Sequence, residues 1–79
     1  MDYFVTAWKD GKHIKTISSV DDLRDAKKTA NKMISGKMGF SCDCVDICVY
    51  GDSDKLKEKH LYTKLNGVWH YDLLEVNEE

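Results

Sequence analysis

The chain contains no proline and only five glycines among its 79 residues. Without proline, sharp turns fall to Asp-Gly and Asn-Gly pairs, whose residues tolerate positive φ. No apolar run approaches the roughly 20 residues that a membrane-spanning helix needs. Met1-Asp2-Tyr3 leads straight into a strand pattern instead of a charged-then-apolar leader, so a cytoplasmic setting is expected. A glycine-rich phosphate loop, a paired-carboxylate motif and an ordered Cys–His dyad are all missing. Asp52-x-Asp54 lacks the remainder of a calcium loop. The expectation is a protein that is not an enzyme and uses no cofactor.

Cysteine is sparse as well, with three in the chain. An odd number, two of them on one strand two residues apart, suits reduced thiols better than a disulfide framework. Cys42, Cys44 and Cys48 are spaced C-x-C-x₃-C, unlike the paired C-x₂-C knuckles that aim two sulfurs at one zinc ion. On a strand Cys44 and Cys48 stand about 13 Å apart by the strand rise, too far to share an ion. Cys42 and Cys44 with a histidine such as His13 or His70 remain a geometrically possible set. No metal is expected, and the thiols read as small hydrophobes.

What the chain does contain is a globular composition, 42% hydrophobic and 33% charged, enough for one small domain over residues 1–79. Residues 75–79 read as an acidic tail that frays. The net charge of −2 is unevenly spread, with +3 over residues 1–41 and −5 over residues 42–79. Neither half is extreme enough to announce a nucleic-acid or membrane partner.

Residues 3–8 are aromatic and β-branched, a strand pattern, and Asp10-Gly11 then signals a type I′ hairpin returning through residues 13–17. In that register Trp8 faces His13, Ala7 faces Ile14 and Phe4 faces Ile17. Ser18-Ser19 ahead of Val20-Asp21-Asp22 reads as a helix start. Val20, Leu23, Ala26, Ala30, Met33 and Ile34 then form one apolar stripe, ended by Gly36. Met38 and Phe40 are expected under the helix end.

Residues 42–50 make a strand apolar on both sides, with Val45, Ile47 and Val49 one way and Cys42, Cys44, Asp46, Cys48 and Tyr50 the other. Residues 51–59 read as a charged, exposed connection. Asn66-Gly67 marks a second hairpin, placing Tyr62 opposite Tyr71 and Lys64 opposite Trp69.

These elements predict an α+β domain of order ββαβββ, an antiparallel sheet of about five strands ordered 2-1-3-4-5 with one helix on one face. Val5, Ala7, Ile14, Val45, Ile47 and Val49 should meet the helix, helped by Leu61, Leu65 and Val68. The far side would then show Phe4, Trp8, Ile17, Cys44, Cys48, Tyr50, Tyr62, Trp69 and Tyr71. That much apolar surface in water implies a partner unless the 51–59 connection folds across it. Phe4, Trp8, Tyr50, Tyr62, Trp69 and Tyr71 are therefore the candidate protein-binding residues, for a second copy in a homodimer or for a larger protein.

The alternative is nucleic acid. Arg24, Lys28 and Lys32 recur at helical spacing with Lys27 beside them, and the sheet aromatics could stack bases. Asp21, Asp25 and Asp46 count against it.

The string Tyr3-x-Val5-x₂-Trp8-x-Asp10-Gly11-Lys12, followed by a lysine-rich helix and Val45-x-Ile47-x-Val49-Tyr50, resembles small proteins of phages and mobile elements in low-GC bacteria. The likeness covers residues 3–50 and rests on turn and strand grammar, so no functional residue transfers with it. It implies a protein that binds and inhibits a host protein or nucleoprotein machine.

Overall fold

A computed structural model describes residues 1–39 and 41–75. Strands β1 (Asp2–Lys9) and β2 (Lys12–Val20) form the first hairpin. Its turn has Asp10 at φ 53 and Gly11 at φ 76, the two positive values that a type I′ turn demands. Trp8 faces His13 as predicted, but the ladder then shifts between Ala7 and Trp8 and again between Tyr3 and Val5. Ala7 consequently faces Lys15, and Val5 faces Ile17. Each irregularity adds a residue to one strand and changes which side the following residues take. Ile17, expected beside Phe4, instead packs on the helix side with Ile14 and Val20.

Helix α1 (Leu23–Ile34) starts later than the serine pair suggests, because Ser18 and Ser19 continue β2. Asp22 is the N-cap, extended at φ −152, with its carboxylate accepting the Asp25 N–H at 2.8 Å. The C-terminus follows the sequence reading. Gly36, at φ 75, donates its N–H to the Met33 carbonyl at 3.2 Å, and Lys37 donates to Lys32 at 3.1 Å. This is a Schellman motif, which needs a residue at ease in left-handed backbone. Ala26, Ala30 and Met33 are buried, and Met38 packs against the same core. Phe40, expected beside Met38, lies outside the described residues.

Strands β3 (Cys44–Tyr50), β4 (Leu56–Leu65) and β5 (Val68–Glu75) complete one sheet, ordered β2-β1-β3-β4-β5 and antiparallel throughout. The fold class, the strand order and the central place of β3 are as the sequence implies. The connection to β4 is shorter than residues 51–59. The Gly51 N–H bonds to the Lys55 carbonyl at 2.9 Å and the Asp54 N–H to Gly51 at 3.1 Å, so β4 is under way by Leu56. The second hairpin turns on Asn66 (φ 52) and Gly67 (φ 80), with Tyr62 opposite Tyr71 and Lys64 opposite Trp69 as predicted. Of the tail expected to fray, Glu75 ends β5 and residues 76–79 lie outside the described residues.

The core is small and one-sided. Val5, Ala7, Val45, Ile47 and Val49 meet Ala26, Ala30, Met33 and Cys42. The helix packs on β1, β2 and β3. Burying each larger aliphatic here is worth about 1.5–3 kcal/mol. No helix among the described residues is long and apolar enough to cross a membrane.

Candidate functional site: the uncovered sheet face

The pairing of β3 with β4 decides what the sheet shows to solvent. Val45 faces Tyr62, Asp46 faces Leu61 and Ile47 faces His60. Residues directly opposite share a side, so Tyr62 joins Val45 on the helix side and carries Tyr71 and Trp69 with it. This corrects the sequence reading. Tyr62 and Trp69 pack at the margin of the core, and Tyr71 lies under the Lys27 ammonium, 5.8 Å from its ring centroid. Leu61, Leu65 and Val68, expected against the helix, point away from it together with Leu74. The physical reason is parity: both hairpin registers were readable at their turns, but β4 can meet β3 in either phase until the connection between them is known.

Phe4, Trp8 and Tyr50 remain on the uncovered face. The part formed by β1, β2 and β3 is tightly organised. Phe4 and Tyr50 meet edge to face at 5.5 Å, and Trp8 meets His13 in the same way at 5.7 Å. At the centre Asp46 is 5% exposed. One carboxylate oxygen accepts the Trp8 indole N–H at 2.9 Å, and the other takes the Cys48 S–H at 3.6 Å. A hydroxyl thread joins Thr6 to Thr16 at 3.0 Å and Thr16 to His13 at 2.8 Å. Both Asp46 oxygens have partners, and the carboxylate orients Trp8 and the Cys48 thiol.

Beside this lies an open groove of about 440 Å³ lined by Asp2, Phe4, Thr6, Thr16, Cys48, Tyr50 and Asp54. The 51–55 turn thus contributes to the lining of the face through Asp54. On the β4–β5 part, Leu65, Val68 and Leu74 are 56%, 57% and 47% exposed. Sequence reasoning missed this aliphatic extension for the parity reason above.

The three cysteines separate. Because β3 begins at Cys44, Cys42 is out of phase with it, turning into the core to donate its S–H to the Met33 carbonyl at 3.5 Å. Burial raises the Cys42 and Cys44 thiols, helped by the charges of Asp43 and Asp46 respectively. Cys48 is pushed up to about 11, first by burial and then by Asp46. Thiols held protonated are weak nucleophiles and weak ligands. Among the described residues, no group of three or more His, Cys, Asp or Glu side chains is placed to hold a metal ion.

On the helix side a second cluster forms that the sequence reading did not single out. His60 is 2% exposed, with Nδ1 2.6 Å from the Tyr71 hydroxyl and Nε2 3.1 Å from the Glu58 carboxylate. An ionised carboxylate only accepts, so in the neutral ring Nε2 carries the proton and Nδ1 takes the Tyr71 O–H. The signal was present: His60 stands in phase with Tyr62, whose partner Tyr71 follows from the turn. Burial, then Tyr71, raises the Tyr62 hydroxyl. Of the basic residues, Arg24, Lys28 and Lys32 are exposed, whereas Lys27 is half-buried against Tyr71.

Fold and site together define a small sheet-and-helix domain with one sheet face that the helix leaves uncovered, on which apolar and polar side chains mix. Comparison with family models, with curated proteins and with solved structures finds no match.

Proposed function

We propose that this domain is a non-catalytic protein-interaction module whose uncovered face takes an apolar surface of a larger protein. One observation carries the reading. On this face Phe4, Trp8, Tyr50 and Leu61 are half-buried and Leu65, Val68 and Leu74 are exposed, with Asp46, Lys59, Thr63, His70 and Asp72 between them, while α1 packs on the other side. Apolar side chains grouped on an uncovered sheet face mark interaction sites in soluble proteins. Trp8, held by Asp46, supplies a rigid aromatic anchor of the sort that dominates binding energy. The likeness to phage and mobile-element proteins supports a partner that is a host protein, inhibited on binding.

The test compares wild type with a Phe4→Ser, Leu65→Lys double variant, both shown to be folded by circular dichroism. Immobilised wild type should retain a host protein stoichiometrically, and the variant should release it. Equal retention by both, or none by wild type, would overturn the reading.

A second reading is favoured by one specific feature, the exposed line of Arg24, Lys28 and Lys32 on α1. Binding of random single- or double-stranded oligomers that weakens with salt and is lost in Lys28→Glu would support it. No binding at low salt would reject it.

A further inference from the structure

We propose that β5 pairs with β5 of a second copy, antiparallel about a twofold axis at Tyr71, so that two sheets join into one. The inference rests on a sheet edge and is independent of the face reading above.

The two edges of the sheet are built differently. β2 carries Lys12 and Lys15 and two register shifts, devices that keep an edge from pairing with another chain. β5 has no lysine, arginine or proline. It runs in unbroken register with β4 from Glu58–Glu75 to Leu65–Val68. Every β5 residue except Trp69 is exposed, and α1 reaches the strand through the Lys27 side chain over Tyr71. A regular, eight-residue edge strand with apolar side chains on both faces is open to strand addition.

The backbone groups point the right way. The Lys64 N–H bonds across to Asp43, on the β3 side, at 2.9 Å. Alternation then turns Leu65 toward β5, and its partner Val68 back toward β4. Trp69, Tyr71 and Leu73 therefore present their N–H and C=O groups outward.

Charge and shape select one register. A twofold axis normal to the sheet pairs residues that share a face, so the strand can be centred on only a few positions. Centred on Tyr71, that residue faces its own copy, and Trp69 faces the second copy's Leu73, both as hydrogen-bonded pairs. On the other face Val68 meets the second copy's Leu74, and His70 meets the second copy's Asp72. The Tyr71, Trp69–Leu73 and Val68–Leu74 pairs are apolar side chain on apolar side chain, and the His70 imidazole meets the Asp72 carboxylate as a hydrogen-bonding partner. Centring on Asp72 sets two aspartates face to face, and centring on His70 sets Val68 against Asp72; like charges directly opposite destabilise a sheet. Tyr71 is already fixed by its 2.6 Å contact with His60, so little freedom remains to be lost on pairing.

Sedimentation velocity on the full chain across the micromolar range tests this. Wild type should dimerise. Leu73→Pro removes an outward amide that the β4–β5 ladder does not use, and should abolish the dimer while circular dichroism stays unchanged. Asp72→Lys should raise the dimer dissociation constant about tenfold, from two symmetry-related pairs. Adding His70→Asp to Asp72→Lys should restore it. The Phe4→Ser, Leu65→Lys variant should dimerise like wild type, which separates this edge from the uncovered face. A monomeric wild type, a dimer indifferent to Leu73→Pro, or a charge reversal that restores nothing would overturn the proposal.

Discussion

The two hairpins begin from nearly the same turn and end in different roles. Asp10-Gly11 and Asn66-Gly67 share the same pair of positive φ angles. Yet β1–β2 is twice irregular and packs under the helix, supplying Val5 and Ala7 to the core. The β4–β5 hairpin is regular along its length, and its one buried side chain among the described residues is His60. Turn chemistry decides that a hairpin forms. What lies over it decides whether it holds the domain together or offers itself to a partner.

The largest expected effect would break that contrast if it failed. Ile47, fully buried beside the first hairpin, should cost about 2–5 kcal/mol on truncation to alanine, through lost burial and a cavity. The same truncation at Leu74, 47% exposed on the second hairpin, should stay within about 0.5 kcal/mol. Urea unfolding of both variants, in dilute monomer, makes the comparison. Similar losses at the two sites would mean that the second hairpin carries as much of the fold as the helix-covered core.

Next in size is His60, whose buried side chain ties β4 to β5 within the second hairpin. His60→Ala leaves the Tyr71 hydroxyl and Glu58 without their partner and should destabilise by about 1–3 kcal/mol. A loss near zero, read by the same unfolding assay, would show that half-buried Tyr62 and Trp69 anchor the hairpin without it. Smaller again is the cap that sets where β2 ends and α1 begins. Asp22→Ala should cost about 1 kcal/mol, whereas Ser19→Ala, in the strand, should cost less; the reverse order would put the helix start back at the serines.

Much of this architecture was readable because its signals are local. Two Xaa-Gly turns, one apolar stripe ending at Gly36 and a strand apolar on both sides sufficed for five strands, one helix and their order. The failures of facing share a cause. Ile17 changed sides at a bulge, and Tyr62, Trp69 and Tyr71 changed sides with the phase in which β4 meets β3. A pleat with a period of two turns any one-residue shift into a complete exchange of faces. The shifts that matter here lie in backbone irregularities and in the compact 51–55 turn, not in side-chain pattern. Phe4, Trp8 and Tyr50 were placed correctly because β1 and β3 are both in register with the core. Leu65, Val68 and Leu74 were missed because only tertiary pairing turns them outward.

The smallest effect probes the uncovered face where it borders the first hairpin. Cys48 lies there without an overlying element, yet burial and Asp46 lift its thiol from 9.0 to about 11. At pH 8 the folded chain should hold about a hundredfold less Cys48 thiolate than the unfolded one. Alkylation at Cys48, followed by peptide mass mapping in native buffer and in urea, should differ accordingly. The sign for stability follows from the raised value. The contribution of Cys48 is fully present below pH 9 and is lost as pH rises toward 11, so unfolding midpoints should begin to fall in that window. Asp46→Asn removes the second cause of the shift and should speed native alkylation while leaving the rate in urea unchanged. Equal native rates in wild type and variant would mean that Asp46 does not reach the thiol. The Trp8–Asp46–Cys48 arrangement would then no longer account for why this part of the face is ordered while β5, on the same sheet, stands open.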